Sequence, residues 1–130
     1  MSGTENDHPA RGERAAAISN LVVRLVSDYT GRGPTKAHTH LNEDLVTVVL
    51  ENSLTKGERS LVRDGKSDLV LSTRLAFQET MRDDLVAGIE RITGRRVRAF
   101  LSANHMEPDI AIESFVLDGA SAAGEEASTE

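Results

Sequence analysis

His38 and His40, in the stretch KAHTHL, are two imidazoles separated by one residue. On an extended strand that spacing puts both on one face, where they could offer two nitrogens to zinc. A further ligand would have to come from Glu43, Asp44 or His105, and only if the turns that carry them fold back. Paired histidines on a solvent-facing strand are more often surface residues, so the expectation is no bound metal and no cofactor.

Just upstream, DYTGRGPTK (Asp28 to Lys36) gathers Gly31, Arg32, Gly33 and Lys36. Glycines expose backbone amides, while Arg32 and Lys36 supply charge and donors, which are the makings of an anion site. Two features point instead to a turn. The loop follows a helix C-terminus, whose partial charge is negative, whereas phosphate loops feed a helix N-terminus. Its spacing also matches neither the Walker pattern nor the dinucleotide fingerprint. The stretch reads as a helix cap, a turn and a strand start, with Arg32 left free to meet a carboxylate on a partner.

Arg74, Glu79, Arg82, Asp83 and Glu90 read as a solvated helix face laced with pairs three and four apart. The functional alternative is that Arg74 joins Arg32 in one pocket. Asp109 and Glu113 share a strand face but stand roughly 13 Å apart, too far for the acid–base pair of a glycosidase. Pro108–Asp109 is better read as a strand-initiating turn. No serine lies in a nucleophile-elbow context, and the absence of cysteine removes thiolate nucleophiles, thiolate metal sites and disulfides. With one tyrosine, three phenylalanines and no tryptophan, no stacking platform for single-stranded nucleic acid is available.

The elements that must carry these residues are legible in the apolar pattern. Ile18, Leu21, Val22, Leu25, Val26 and Tyr29 recur at helical spacing, with Gly31 as a left-handed cap and Pro34 just beyond. Thr35 to Asn42 alternates, with Ala37, Thr39 and Leu41 opposite Lys36, His38 and His40. After the turn at NED, valine-rich Leu45 to Glu51 closes a hairpin. TKGE, Thr55 to Glu58, has the spacing of a capping box and opens a short helix that stops at Gly65. A longer helix is expected from about Asp68 to Ile92, with Leu71, Leu75, Met81, Leu85, Ile89 and Ile92 on one stripe. Such a rod would be about 35 Å long, which suggests that part of it packs on a second subunit.

Two final strands follow. The first sets Val97, Ala99 and Leu101 toward the core and Arg96, Arg98, Phe100 and Ser102 away from it. The second sets Ile110, Ile112 and Val116 against Glu113, Phe115 and Leu117. The order α-β-β-α-α-β-β implies an α+β two-layer sandwich, a four-stranded sheet with helices on one face. The other sheet face is too apolar to be wholly wet, so a homodimer is expected.

At 130 residues the chain is one domain, expected at 12–117 between a disordered N-terminal tail, 1–11, and a disordered acidic tail, 118–130. The net charge of −6 sits mostly in the tails. The first eleven residues carry −1 and the last thirteen −4, which leaves −1 on 12–117. A nearly neutral, mixed surface argues against nucleic acid as a partner. Arg95, Arg96 and Arg98 form one short basic run, read as a solvated strand edge. No signal peptide is visible, and no apolar segment approaches the roughly 20 residues that span a bilayer, so the expectation is a cytoplasmic protein with no direct membrane insertion.

GRGP after an amphipathic helix, LTKGE opening the next, TR followed by FQETM, then TGRRV, FLS and PDIAIESFVL together resemble the MpsC-like family over roughly Ala15 to Leu117. These are small bacterial proteins named for a sodium-translocating, membrane-potential-generating system. The matching positions are Gly31, Arg32, Gly33, Pro34, Glu58, Arg74, Gly94, Arg95, Pro108, Asp109 and Glu113. His38 and His40 depart from the pattern. The resemblance implies a soluble cytoplasmic protein and brings no catalytic residues. It implies a non-enzymatic accessory or regulatory protein that docks on a membrane ion-translocation or inorganic-carbon uptake system, through an apolar patch flanked by Arg32 and Arg74. The alternative is a small-ligand sensor that binds a nucleotide or other anion near Arg32, Gly33, Lys36 and Arg74.

Overall fold

The computed structural model describes residues 2–119, with side chains from Ala10 onward. Helix α1 spans Ser2–Thr30 and so begins well ahead of the domain start expected at Gly12. Met1 lies outside the described residues, as does the expected acidic tail from Ala120 onward. Ile18, Leu21, Val22 and Val26 of α1 are buried, as their spacing predicts. Gly31, at φ 88°, ends the helix with its amide on the Ser27 carbonyl at 2.9 Å, a left-handed turn that glycine makes without steric cost.

Strands β1 (Lys36–Asn42), β2 (Leu45–Glu51), β3 (Val97–His105) and β4 (Ile110–Leu117) form one antiparallel sheet in the order β1-β2-β4-β3. Each of two hairpins contributes one edge strand, and β4 pairs with β2 to join them. Helix α2 (Lys56–Arg63) starts at the capping box: the Glu58 amide donates to Thr55 Oγ1 at 3.1 Å, and the Thr55 amide donates to Glu58 Oε1 at 2.8 Å.

The single helix expected from Asp68 to Ile92 is two helices. α3 (Ser67–Thr80) stops and α4 (Arg82–Thr93) begins on either side of Met81, which sits at φ −93°, ψ 5° with its side chain buried. The break lets α3 lie over α2 and β3 while α4 turns along α1, a path that no straight rod follows. Asp83 and Asp84 in the first turn of α4 favour a helix start there. With the rod goes the argument from its length for a second subunit. The stripe is corrected too: the buried face of α3 carries Val70, Arg74 and Gln78, while Leu75 is about half exposed.

The faces of β4, and of β3 beyond the bulge between Val97 and Ala99, are the reverse of those expected, while Val97 packs on the core as expected. Phe115, Leu117 and Glu113 point into the core, and Phe100 stacks on Phe115 at 5.0 Å. Ile110, Ile112, Val116 and Leu101 point away from the helices. Both faces of these strands are apolar, so alternation alone left the choice open. Glu113 tilted it wrongly, because a buried carboxylate needs partners that the strand pattern does not reveal.

Candidate functional site

The four strands place two kinds of surface at the disposal of chemistry or recognition. On the face away from the helices, strand pairing builds a grid of side chains. Its rows read Lys36–Glu51–Ile110–His105, His38–Val49–Ile112–Ala103, His40–Thr47–Ser114–Leu101 and Asn42–Leu45–Val116–Ala99. Lys36 and Glu51 are its lysine and its carboxylate, side by side at one end. No described element lies over this face, and Leu45 and Leu101 are 40% and 55% exposed.

His38 and His40 sit on this face on edge strand β1, with ring centroids 4.5 Å apart. His105 lies on the opposite edge strand, with Nδ1 on the Pro108 carbonyl, and Asp44 pairs with Arg95. The turns do not fold back to complete a metal set, and no group of three potential ligands forms among the described residues.

The second surface surrounds the start of α2. The opening loop is the cap, turn and strand start that its sequence suggests. Thr30 Oγ1 donates to the Val26 carbonyl at 2.7 Å, and the Thr35 amide donates to the Glu51 carbonyl at 3.1 Å. Gly33 packs on α1: an added Cβ would stand 3.4 Å from Ser27 and Val23. Arg32 reaches across to the Leu54 carbonyl at 2.6 Å and, with Lys56 and Arg59, lines a cleft of about 240 Å³. A larger cleft of about 340 Å³ lies on the other side of Arg59, walled by Leu54, Val62, Met106, Pro108 and Asp109.

Of the residues singled out, Arg32, Lys36 and Arg74 do not meet. Lys36 belongs to the outer sheet face. Arg74 is not solvated and does not line the cleft that holds Arg32: it is 4% exposed and donates to Glu58 Oε1 at 3.1 Å and Ser53 Oγ at 3.0 Å. The same Glu58 oxygen completes the α2 cap, so Arg74 holds the start of α2 from below and acts as a positioning residue. Sequence reasoning missed Lys56 and Arg59 as neighbours of Arg32. Their i, i+3 spacing at the head of a capped helix was the available signal.

Beside Arg74, one turn on, Gln78 donates to Glu113 Oε2 at 2.9 Å and exchanges two amide hydrogen bonds with Asn104 at 2.9 and 3.0 Å. Ser102 donates to the other Glu113 oxygen. Burial pushes the Glu113 carboxyl up to about 7, against the pull of Ser102, Gln78 and the Arg74 charge. Arg95, expected on a solvated edge, instead ties the β1–β2 turn to the end of β4 through Glu43, Asp44 and Asp118.

With this geometry in view, the chain matches the family model described as Na+-translocating membrane potential-generating system (MpsC) over residues 10–119. The chain belongs to the MpsC family. The match takes in the whole sheet, all of α2, α3 and α4, and most of α1. The chain is also similar to the uncharacterized protein YrhF of Bacillus subtilis (strain 168), 22% identical over 103 residues that cover 78% of this chain and 84% of YrhF. No solved structure matches the chain. None of its described helices is long and apolar enough to cross a membrane.

Proposed function

We propose that this MpsC protein is a non-enzymatic cytoplasmic accessory protein. It works as a homodimer closed through the outer sheet face and docks on a membrane ion-translocation system. The observation that carries the reading is the outer sheet face, which no described element covers and on which Leu45, Val49, Leu101, Ile110, Ile112 and Val116 are apolar. Four strands about 4.8 Å apart and four rows about 6.8 Å apart give a face of about 500 Å². Apolar side chains make up half of that face, and exposed apolar patches of a few hundred Å² are often functional. Two copies together reach the roughly 1,000 Å² that a specific interface needs. The membrane system is drawn from the family description, and the partner is for that reason a protein of an ion-translocating complex.

The test is a charge placed at the centre of the grid. Light scattering after size exclusion should give twice the chain mass for the native protein and the chain mass for Ile112→Glu, with circular dichroism unchanged. A native monomer at micromolar concentration would overturn the dimer. Docking is tested separately by flotation with membranes from cells that carry or lack the ion-translocating complex. Equal binding to both would remove the accessory role.

A further inference from the structure

Two guanidinium groups converge on one neutral oxygen at the corner between the α1–β1 loop and α2. Arg32 Nη1 donates to the Leu54 carbonyl at 2.6 Å, and Arg59 Nε donates to the same atom at 3.3 Å. Lys56 completes the lining of the cleft of about 240 Å³. Arg59 has Asn52 and, at 3.8 Å, Asp109 as further partners. Arg32 and Lys56 enter no ion pair among the described residues.

Like charges gathered around one cleft repel, and a carbonyl oxygen satisfies an N–H without cancelling the charge. The fold nonetheless fixes this arrangement from several sides. Leu54 is buried, and its amide is held by Asp109 at 2.9 Å. Behind it, Arg74 and Glu58 anchor the α2 cap. One carboxylate against three cations leaves an excess of two positive charges, the complement of a dianion. Arginine forks and a lysine point charge together suit tetrahedral oxygens, which accept from several directions.

We propose that the Arg32–Lys56–Arg59 cleft binds a phosphoryl oxyanion, carried either by a free phosphate or by a phospholipid headgroup. The site keeps Arg32 from the anion set that the sequence suggested and replaces Lys36 and Arg74 by Lys56 and Arg59. None of its residues belongs to the outer sheet face, so it stands or falls independently of the dimer.

The experiment is calorimetric titration of the full chain with inorganic phosphate at fixed ionic strength, with chloride as control. Saturable phosphate binding is expected, weakened about tenfold or more in Arg32→Gln and in Lys56→Ala and unchanged in Arg98→Ala. Arg32→Gln keeps a donor for the Leu54 carbonyl, so it removes the charge without freeing the loop. A parallel arm sediments the protein with phosphatidylcholine vesicles with or without phosphatidic acid, whose phosphomonoester headgroup can carry the second negative charge. Arg32-dependent capture by the anionic vesicles, without binding of free phosphate, would identify a headgroup as the source. Failure of both arms, or binding that Arg32→Gln leaves intact, would overturn the proposal.

Discussion

Glu113 occupies the middle of a central strand with its carboxylate turned into the core, where Ser102 and Gln78 donate to it and no cation among the described residues forms an ion pair with it. Its raised value near 7 means that the folded protein holds a proton which the unfolded chain releases near 4.5. Stability therefore falls as pH rises from about 4.5 through about 7, and is flat with respect to this group outside that window. A shift of this size corresponds to an effect on the order of 3 kcal/mol. Glu113→Gln should abolish that part of the slope, with urea unfolding at pH 5 and pH 8 as the measurement. An unchanged pH dependence would sink this account of Glu113. The sequence showed a glutamate on an alternating strand, and charge alone placed it outside. What reverses that placement lies on other elements: Gln78 is 35 residues away along the chain. Arg74 follows the same rule, because its partners Glu58 and Ser53 meet it only when α2 and the end of β2 come under α3.

The helices divide into those whose ends are written locally and one whose middle is not. Thr55 and Glu58 form the reciprocal cap that their spacing announces, Gly31 takes the left-handed conformation expected of it, and Gly94 ends α4 in the same conformation. The α3–α4 break at Met81 carries no proline or glycine, and the i, i+3, i+4 pattern runs straight through it. It arises because the two halves have different neighbours. Gly88 shows how tightly the second half is held: a Cβ there would stand 2.4 Å from Leu21 Cδ2 and 3.2 Å from its Cγ. Leu21 is itself buried on α1. Gly88→Val should therefore cost about 1–3 kcal/mol by overpacking, although valine is the better helix former. Thermal or urea unfolding checks this, and a stabilised variant would show that the α1–α4 contact has room to spare.

At the scale of the whole molecule, helices cover one sheet face, and no described element covers the other. If two copies close that open face, stability depends on protomer concentration. The melting temperature of the native protein should rise with concentration, whereas that of Ile112→Glu should stay constant; a constant native value would argue for a monomer. The α+β class, the hairpins, the caps and the amphipathic stripe of α1 were set by the sequence, since each depends on residues within a few positions of one another. The tertiary structure alone decided which apolar face of β3 and β4 meets the helices. It also decided where the long helix breaks, and that Arg32 faces Lys56 and Arg59 instead of Lys36 and Arg74. Those outcomes rest on contacts between segments distant in the chain. A strand that is apolar on both faces has no local preference between them until a helix layer and its buried polar partners arrive to choose.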